Sequence, residues 1–172
     1  PPRRELLRLC PAPPGALRGP RCRPARHRRA GGAVLGLVRA LQGENDRALD
    51  YYRKSLAEFE AAANKIDQAR ALSLIGNVYY AQQNYDAALE SYRSSLVLRE
   101  AMDDKPGQAD LLIGIGTVYL RERAYTESLD NYNRALAVFQ STDHKTGVAN
   151  VLSKIADTYL LQGSYIEALN FA

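Results

Sequence analysis

Apolar residues recur along this chain with the period of an α-helix, and the same pattern returns forty residues further on. Leu72, Ile75, Gly76 and Tyr79 fall at i, i+3, i+4 and i+7, one stripe of a helix. Leu112, Ile115, Gly116 and Tyr119 repeat the stripe, and Leu152, Ile155, Ala156 and Tyr159 repeat it again. A short polar break follows each one, QQN, RERA and QGS. A second stripe comes next: Tyr85, Ala88, Leu89, Tyr92 and Leu96, then Tyr125, Ser128, Leu129, Tyr132 and Leu136, then Tyr165, Ala168 and Leu169. Two amphipathic helices joined by a tight turn form an antiparallel hairpin, so the pattern predicts hairpins in series. A worn copy of the frame lies between Leu35 and Tyr52.

Small residues fall in register on the two helices of each hairpin: Gly36 with Ala48, Gly76 with Ala88, Gly116 with Ser128, and Ala156 with Ala168. Such pairs let two backbones approach closely, a contact that must outweigh the ~1 kcal/mol a mid-helix glycine costs relative to alanine. The stretches AAANKIDQAR, AMDDKPGQAD and QSTDHKTGVAN read as connections between hairpins, with Gly107 a loop glycine. Within them Asp104 is placed to cap the following helix, with Pro106 in its first turn. Tyr52, Tyr79, Tyr85, Tyr92, Tyr119, Tyr125, Tyr132 and Tyr159 all fall on packing stripes, so they are expected to fill cores.

The order Leu, two residues, Ile, Gly, two residues, Tyr, followed by a small residue and then an aromatic on the second helix, resembles the tetratricopeptide repeat. The resemblance covers residues 31–172, in units of approximately 31–68, 69–108, 109–148 and an incomplete 149–172. Leu stands where the family pattern has Trp, Glu100 where it has Pro, and the period is forty against the family's ~34. Units of this length resemble those of spindle-orientation adaptors, kinesin light chain and bacterial regulators. What the resemblance implies is an all-α fold, an α-solenoid of stacked antiparallel hairpins in a right-handed superhelix, which binds proteins or peptides on a concave face lined by first helices. At ~100° per residue, the positions roughly 140° from the packing stripe form that face. They are Arg70, Ser73, Asn77, Tyr80 and Ala81; Asp110, Ile113, Thr117, Leu120 and Arg121; and Asn150, Ser153, Asp157, Leu160 and Leu161, with Lys154 at the margin. Some family members clamp a peptide's terminal carboxylate with basic and Asn residues there. Only Asn77 and Lys154 match that pattern, while Ser73, Gly114 and Asn150 occupy the other positions, so a clamp is not expected.

Composition adds a boundary. Residues 1–30 carry nine arginines against the single Glu5, and seven of the eight prolines, whereas the remainder holds 14 basic and 18 acidic residues. The arm is therefore expected to be a disordered basic linker or tether. It has no aromatic residue to stack on bases, so nucleic acid is not expected as a partner. Cys10, Cys22 and His27 lie in the arm and do not complete a zinc set, and no metal or cofactor is expected. The repeats lack cysteine and no apolar run is long enough to span a membrane, which fits a cytoplasmic protein.

Enzyme chemistry finds little footing. Gly114 and Gly116 form a GxG, but Tyr119 stands where a dinucleotide fingerprint needs glycine, and the run is mid-helix. His144 has Asp143 beside it and no nucleophile placed by sequence. The expected function is a scaffold or adaptor that binds a peptide or helix of a partner along the concave face. The alternative is a regulatory or sensor segment that controls an attached effector domain in a larger signalling protein. The sequence stops midway through a second helix, so the apolar face of Leu152, Ile155, Tyr159 and Leu169 is expected to be partly uncovered and to favour self-association.

Overall fold

A computed structural model describes residues 29–171, with side chains from Gly32 onward. Apart from its last two residues the basic arm, including Cys10, Cys22 and His27, lies outside the described residues. Eight helices follow one another among those described: α1 (Arg29–Leu41), α2 (Asn45–Ala61), α3 (Lys65–Ala81), α4 (Tyr85–Ala101), α5 (Lys105–Arg121), α6 (Tyr125–Ser141), α7 (Lys145–Gln162) and α8 (Tyr165–Leu169).

The chain turns every twenty residues, at a residue in the left-handed region: Gly43, Ala63, Gln83, Asp103, Arg123, Asp143 and Gly163. Each turn closes in the same way. The Gln83 N–H donates to Tyr80 O at 3.0 Å and the Asn84 N–H to Tyr79 O at 2.9 Å, and the other six turns repeat both bonds, so two of the carbonyls left over at each helix end are satisfied. The residue making the second bond is also the N-cap of the next helix. Asn64, Asn84 and Asp104 accept through Oδ1 from the backbone N–H three residues on, at 3.3, 3.3 and 3.1 Å. His144 does so through Nδ1 at 3.0 Å.

The supposed connections between hairpins are therefore mostly helix. α2 runs to Ala61, α4 to Ala101 and α6 to Ser141, and each next helix begins four residues later. The excess over the family's ~34-residue period lengthens helices, and the turn between hairpins is the same object as the turn within one. Gly107 is likewise no loop residue. It sits buried in the first turn of α5, donates to Asp104, and a Cβ there would run into the Arg99 guanidinium. Pro106 occupies that same turn, where a missing N–H costs nothing.

Each helix packs chiefly on its neighbours in the chain. The apolar interior is divided accordingly. Ala48, Leu49, Tyr52, Ile75 and Val78 join α2 to α3. Ala88, Leu89, Tyr92, Leu111, Ile115 and Val118 join α4 to α5. Leu112, Tyr132, Phe139, Val151 and Ile155 join α5, α6 and α7. Within hairpins, Gly36, Gly76 and Gly116 lie against the rings of Tyr52, Tyr92 and Tyr132, where a Cβ would stand 2.5, 2.6 and 2.7 Å from a ring carbon. Ser128 does meet Gly116 as expected, its Oγ donating to the glycine carbonyl at 2.9 Å. Between hairpins, Gln68 Nε2 donates to Phe59 O at 3.0 Å and Gln108 Nε2 to Arg99 O at 3.2 Å, tying the start of one first helix to the end of the preceding second helix. Arg53 and Arg93 add bonds to the phenols of Tyr79 and Tyr119, at 2.6 and 2.7 Å.

The face expected to be uncovered is mixed. Ile155 is buried in the α5–α7 cluster and Tyr159 stacks on Phe171, with ring centroids 5.7 Å apart, whereas Leu169 is 76% exposed.

Candidate functional site

The first helices of successive hairpins lie side by side on one face of the array, and Arg121 makes this visible. Its Nε, on α5, donates to the Tyr80 hydroxyl on α3 at 2.9 Å. On one side of that bridge a groove of about 780 Å3 opens between α5 and α7. Thr117, Leu120 and Arg121 form one wall and Lys154, Asp157, Leu160 and Leu161 the other, with Tyr125, Tyr132 and Arg123 between them. On the other side a shallower hollow of about 540 Å3 is bounded by Tyr80, Ala81, Gln83, Tyr85 and Arg121.

Local structure fixes the floor. Tyr132 lays its ring on Gly116 inside the hairpin and brings its hydroxyl out to Thr117, at 3.1 Å. The Thr117 Oγ1 also donates back to Ile113 O at 2.8 Å, which is how a hydroxyl is tolerated inside a helix. The preceding hairpin repeats the device with an amide, since the Tyr92 hydroxyl donates to Asn77 Oδ1 at 2.7 Å. Burial, and secondarily Tyr80, pushes the Tyr92 phenol up to about 12, and burial raises Tyr132 as well. Both phenols thus remain neutral donors at physiological pH.

Of the residues singled out from sequence, Thr117, Leu120, Arg121, Lys154, Asp157, Leu160 and Leu161 come together on the large groove, and Tyr80 and Ala81 join Arg121 on the smaller hollow. The remainder line neither. Ser73 is tied inward, its Oγ donating to Ala69 O and bonded to Ser95 Oγ, both at 2.9 Å. Asn77 is occupied by Tyr92, and Ile113 packs against the α5–α7 cluster. Arg70 pairs with Asp67 at 3.4 Å, while Asp110, Asn150 and Ser153 are exposed. Arg123, Tyr125 and Tyr132 line the groove from the turn and from α6, outside the first-helix face that periodicity predicts. A tyrosine sixteen residues after a packed glycine is the available clue, since its ring is spent in the core and its hydroxyl has to emerge somewhere.

His144 stands in the turn between α6 and α7, as the N-cap of α7. Its Nδ1 is engaged by the Gly147 N–H and its ring stacks on Phe139, centroids 5.1 Å apart. Among the described residues no His, Cys, Asp and Glu side chains gather as a metal set, and no helix is long and apolar enough to cross a membrane.

Hairpins at a forty-residue period, with a groove along their first helices, define a helical-repeat solenoid. The chain belongs to the tetratricopeptide repeat family, which matches it over residues 32–101 and 107–172. No curated protein matches it in sequence. Its fold is similar to that of aspartyl phosphate phosphatase F from Bacillus subtilis, with a TM-score of 0.79 at 16% identity over 84% of this chain and 38% of that one. It is similar to the Rap conjugation gene regulator of the plasmid pLS20, solved in complex with the Phr* peptide, at 0.73 and 12% identity over 84% of this chain and 40% of the regulator. A kinesin light chain of Podosopora anserina with nearly identical TPR-like repeats gives 0.70 and 12% identity over 84% and 71% of the two chains. At such identities the likeness is one of fold, and the chain spans well under two thirds of the first two proteins' length.

Proposed function

We propose that the chain is a protein-interaction adaptor, non-catalytic and cytoplasmic, that takes a peptide or helix of a partner protein along its inner face. The groove of about 780 Å3 between α5 and α7 carries this reading, because it combines apolar walls with convergent polar and charged groups on rigid helices. A structural relative that holds a peptide supports it. Leu161 is 63% exposed on the groove wall and Val97 is 62% exposed on α4, outside it, which allows a matched test. Leu161→Trp is expected to abolish capture of partners by the full chain, while Val97→Trp leaves capture intact and neither moves the melting temperature by much. Equal loss from both substitutions counts against the groove.

A second reading, a regulatory or sensor segment controlling an attached effector in a larger signalling protein, draws on the likeness to only 38% of a phosphatase chain. An effector domain in the same reading frame supports it, and its absence from the full transcript dismisses it.

A further inference from the structure

We propose that the groove is selective for an acidic segment of a partner protein that carries a large apolar side chain among its carboxylates. This rests on the groove reading above and narrows it. Outside the arm the chain carries 18 acidic and 14 basic residues, yet the charges lining the groove are Arg121, Arg123 and Lys154 against Asp157 alone. The local sign opposes the sign of the array. None of the three cations has a carboxylate partner among the described residues, whereas Arg39 and Arg47 share Glu44 and Arg99 is held by Asp104. Arg121 has only the neutral Tyr80 hydroxyl on its Nε, so its terminal N–H donors remain available for a planar bidentate acceptor such as a carboxylate.

The apolar half of the specificity comes from α7. Leu160 and Leu161 are 48% and 63% exposed on the same groove, across from Leu120 and next to Tyr125. A segment of acidic residues alone would leave them wet, and a nucleic-acid strand would set its phosphates against Asp157 and its sugars against two leucines. The chain's own arm is excluded as occupant by charge, since its nine arginines and one glutamate would meet the same three cations. An acidic segment also gains from steering in the field of the groove, so its capture weakens as salt rises.

The probe is a random-peptide display library screened against the full chain, followed by a synthetic peptide of the enriched sequence. Enrichment of Asp and Glu around a Leu, Ile or Phe is expected. Binding of the synthetic peptide should fall by about tenfold or more with Arg121→Gln combined with Lys154→Gln, at unchanged melting temperature. Arg121→Lys should retain part of it. Enriched peptides that lack acidic residues but are lost on Leu161→Trp overturn this proposal and leave the groove reading standing. Peptides that bind Leu161→Trp as well as the unaltered chain, or no enrichment at all, overturn both. Displacement of the synthetic peptide by an equal concentration of single-stranded DNA also overturns the acidic-peptide assignment.

Discussion

At Gly116 the α5 backbone passes so close to Tyr132 that a Cβ would lie 2.7 Å from a ring carbon, while at Gly114, about half a turn away, the nearest carbons of Tyr92 stand at 3.5 Å. The first spacing is a clash and the second an ordinary contact, so two glycines of one short motif should answer alanine with opposite signs. Gly116→Ala is expected to cost about 1–3 kcal/mol by overpacking, whereas Gly114→Ala should gain up to ~1 kcal/mol in helix propensity. Urea denaturation of the two variants checks this, and shifts of the same sign would show that the ring does not dictate the glycine. Periodicity identified Gly116 as the close crossing but assigned Ser128 as what it meets. A helical side chain leans toward the N-terminus of its own helix, so the Tyr132 ring lies back over the turn that holds Ser128, and that ring is what excludes a Cβ. Where the ring position of the sequence holds Ala172 instead of tyrosine, the glycine position holds Ala156.

The turns show at the scale of elements what sequence carried and what it did not. The breaks after first helices were legible because QQN, RERA and QGS interrupt apolar stripes abruptly. Those after second helices were less so: Ala, Lys, Gln and Asp there are compatible with an exposed helix, and Gly107 looks like a loop residue although, like Pro106, it belongs to the first turn of α5. Backbone conformation hides more deeply still. Of the seven left-handed turn residues only Gly43 and Gly163 are glycine, so five turns hold a side chain in a region L-residues avoid. Ala63 and Gln83 have φ of 52° and 60°. Ala63→Gly and Gln83→Gly are each expected to raise stability by about 0.5–1 kcal/mol, the relief of the left-handed strain exceeding the entropy a glycine adds to the unfolded chain. Gly43→Ala should lose a similar amount even though nothing lies within 4 Å of the added Cβ. Thermal melts that put all three on one side of zero would refute a backbone origin.

For the molecule as a whole, the decisive feature is that among the described residues no single core joins the helices. The clusters of α2–α3, α4–α5 and α5–α7 touch through shared neighbours, so free energy lost in one should pass to the next and fade beyond it. Three Phe and no Trp suit many small contacts better than one dense centre, and the forty-residue repeat indicates which helix face holds most of the groove lining. The position of the groove between α5 and α7 was less legible, because it depends on which hairpin puts leucines at 160 and 161 opposite a cation at 121, a juxtaposition of residues forty apart that no local pattern displays. Phe139 tests the modular energetics. It is 3% exposed, fills the α5–α7 cluster and supports the His144 cap by stacking. Phe139→Ala is expected to cost about 3–5 kcal/mol there. Because α2 and α3 share no cluster with that site, native-state hydrogen exchange should accelerate in α6 and α7, less in α5, and hardly at all in α2 and α3. A uniform loss of protection through α2 to α7 would instead mean that the hairpins unfold as one cooperative body, and the groove could then not be altered by mutation without disturbing the whole array.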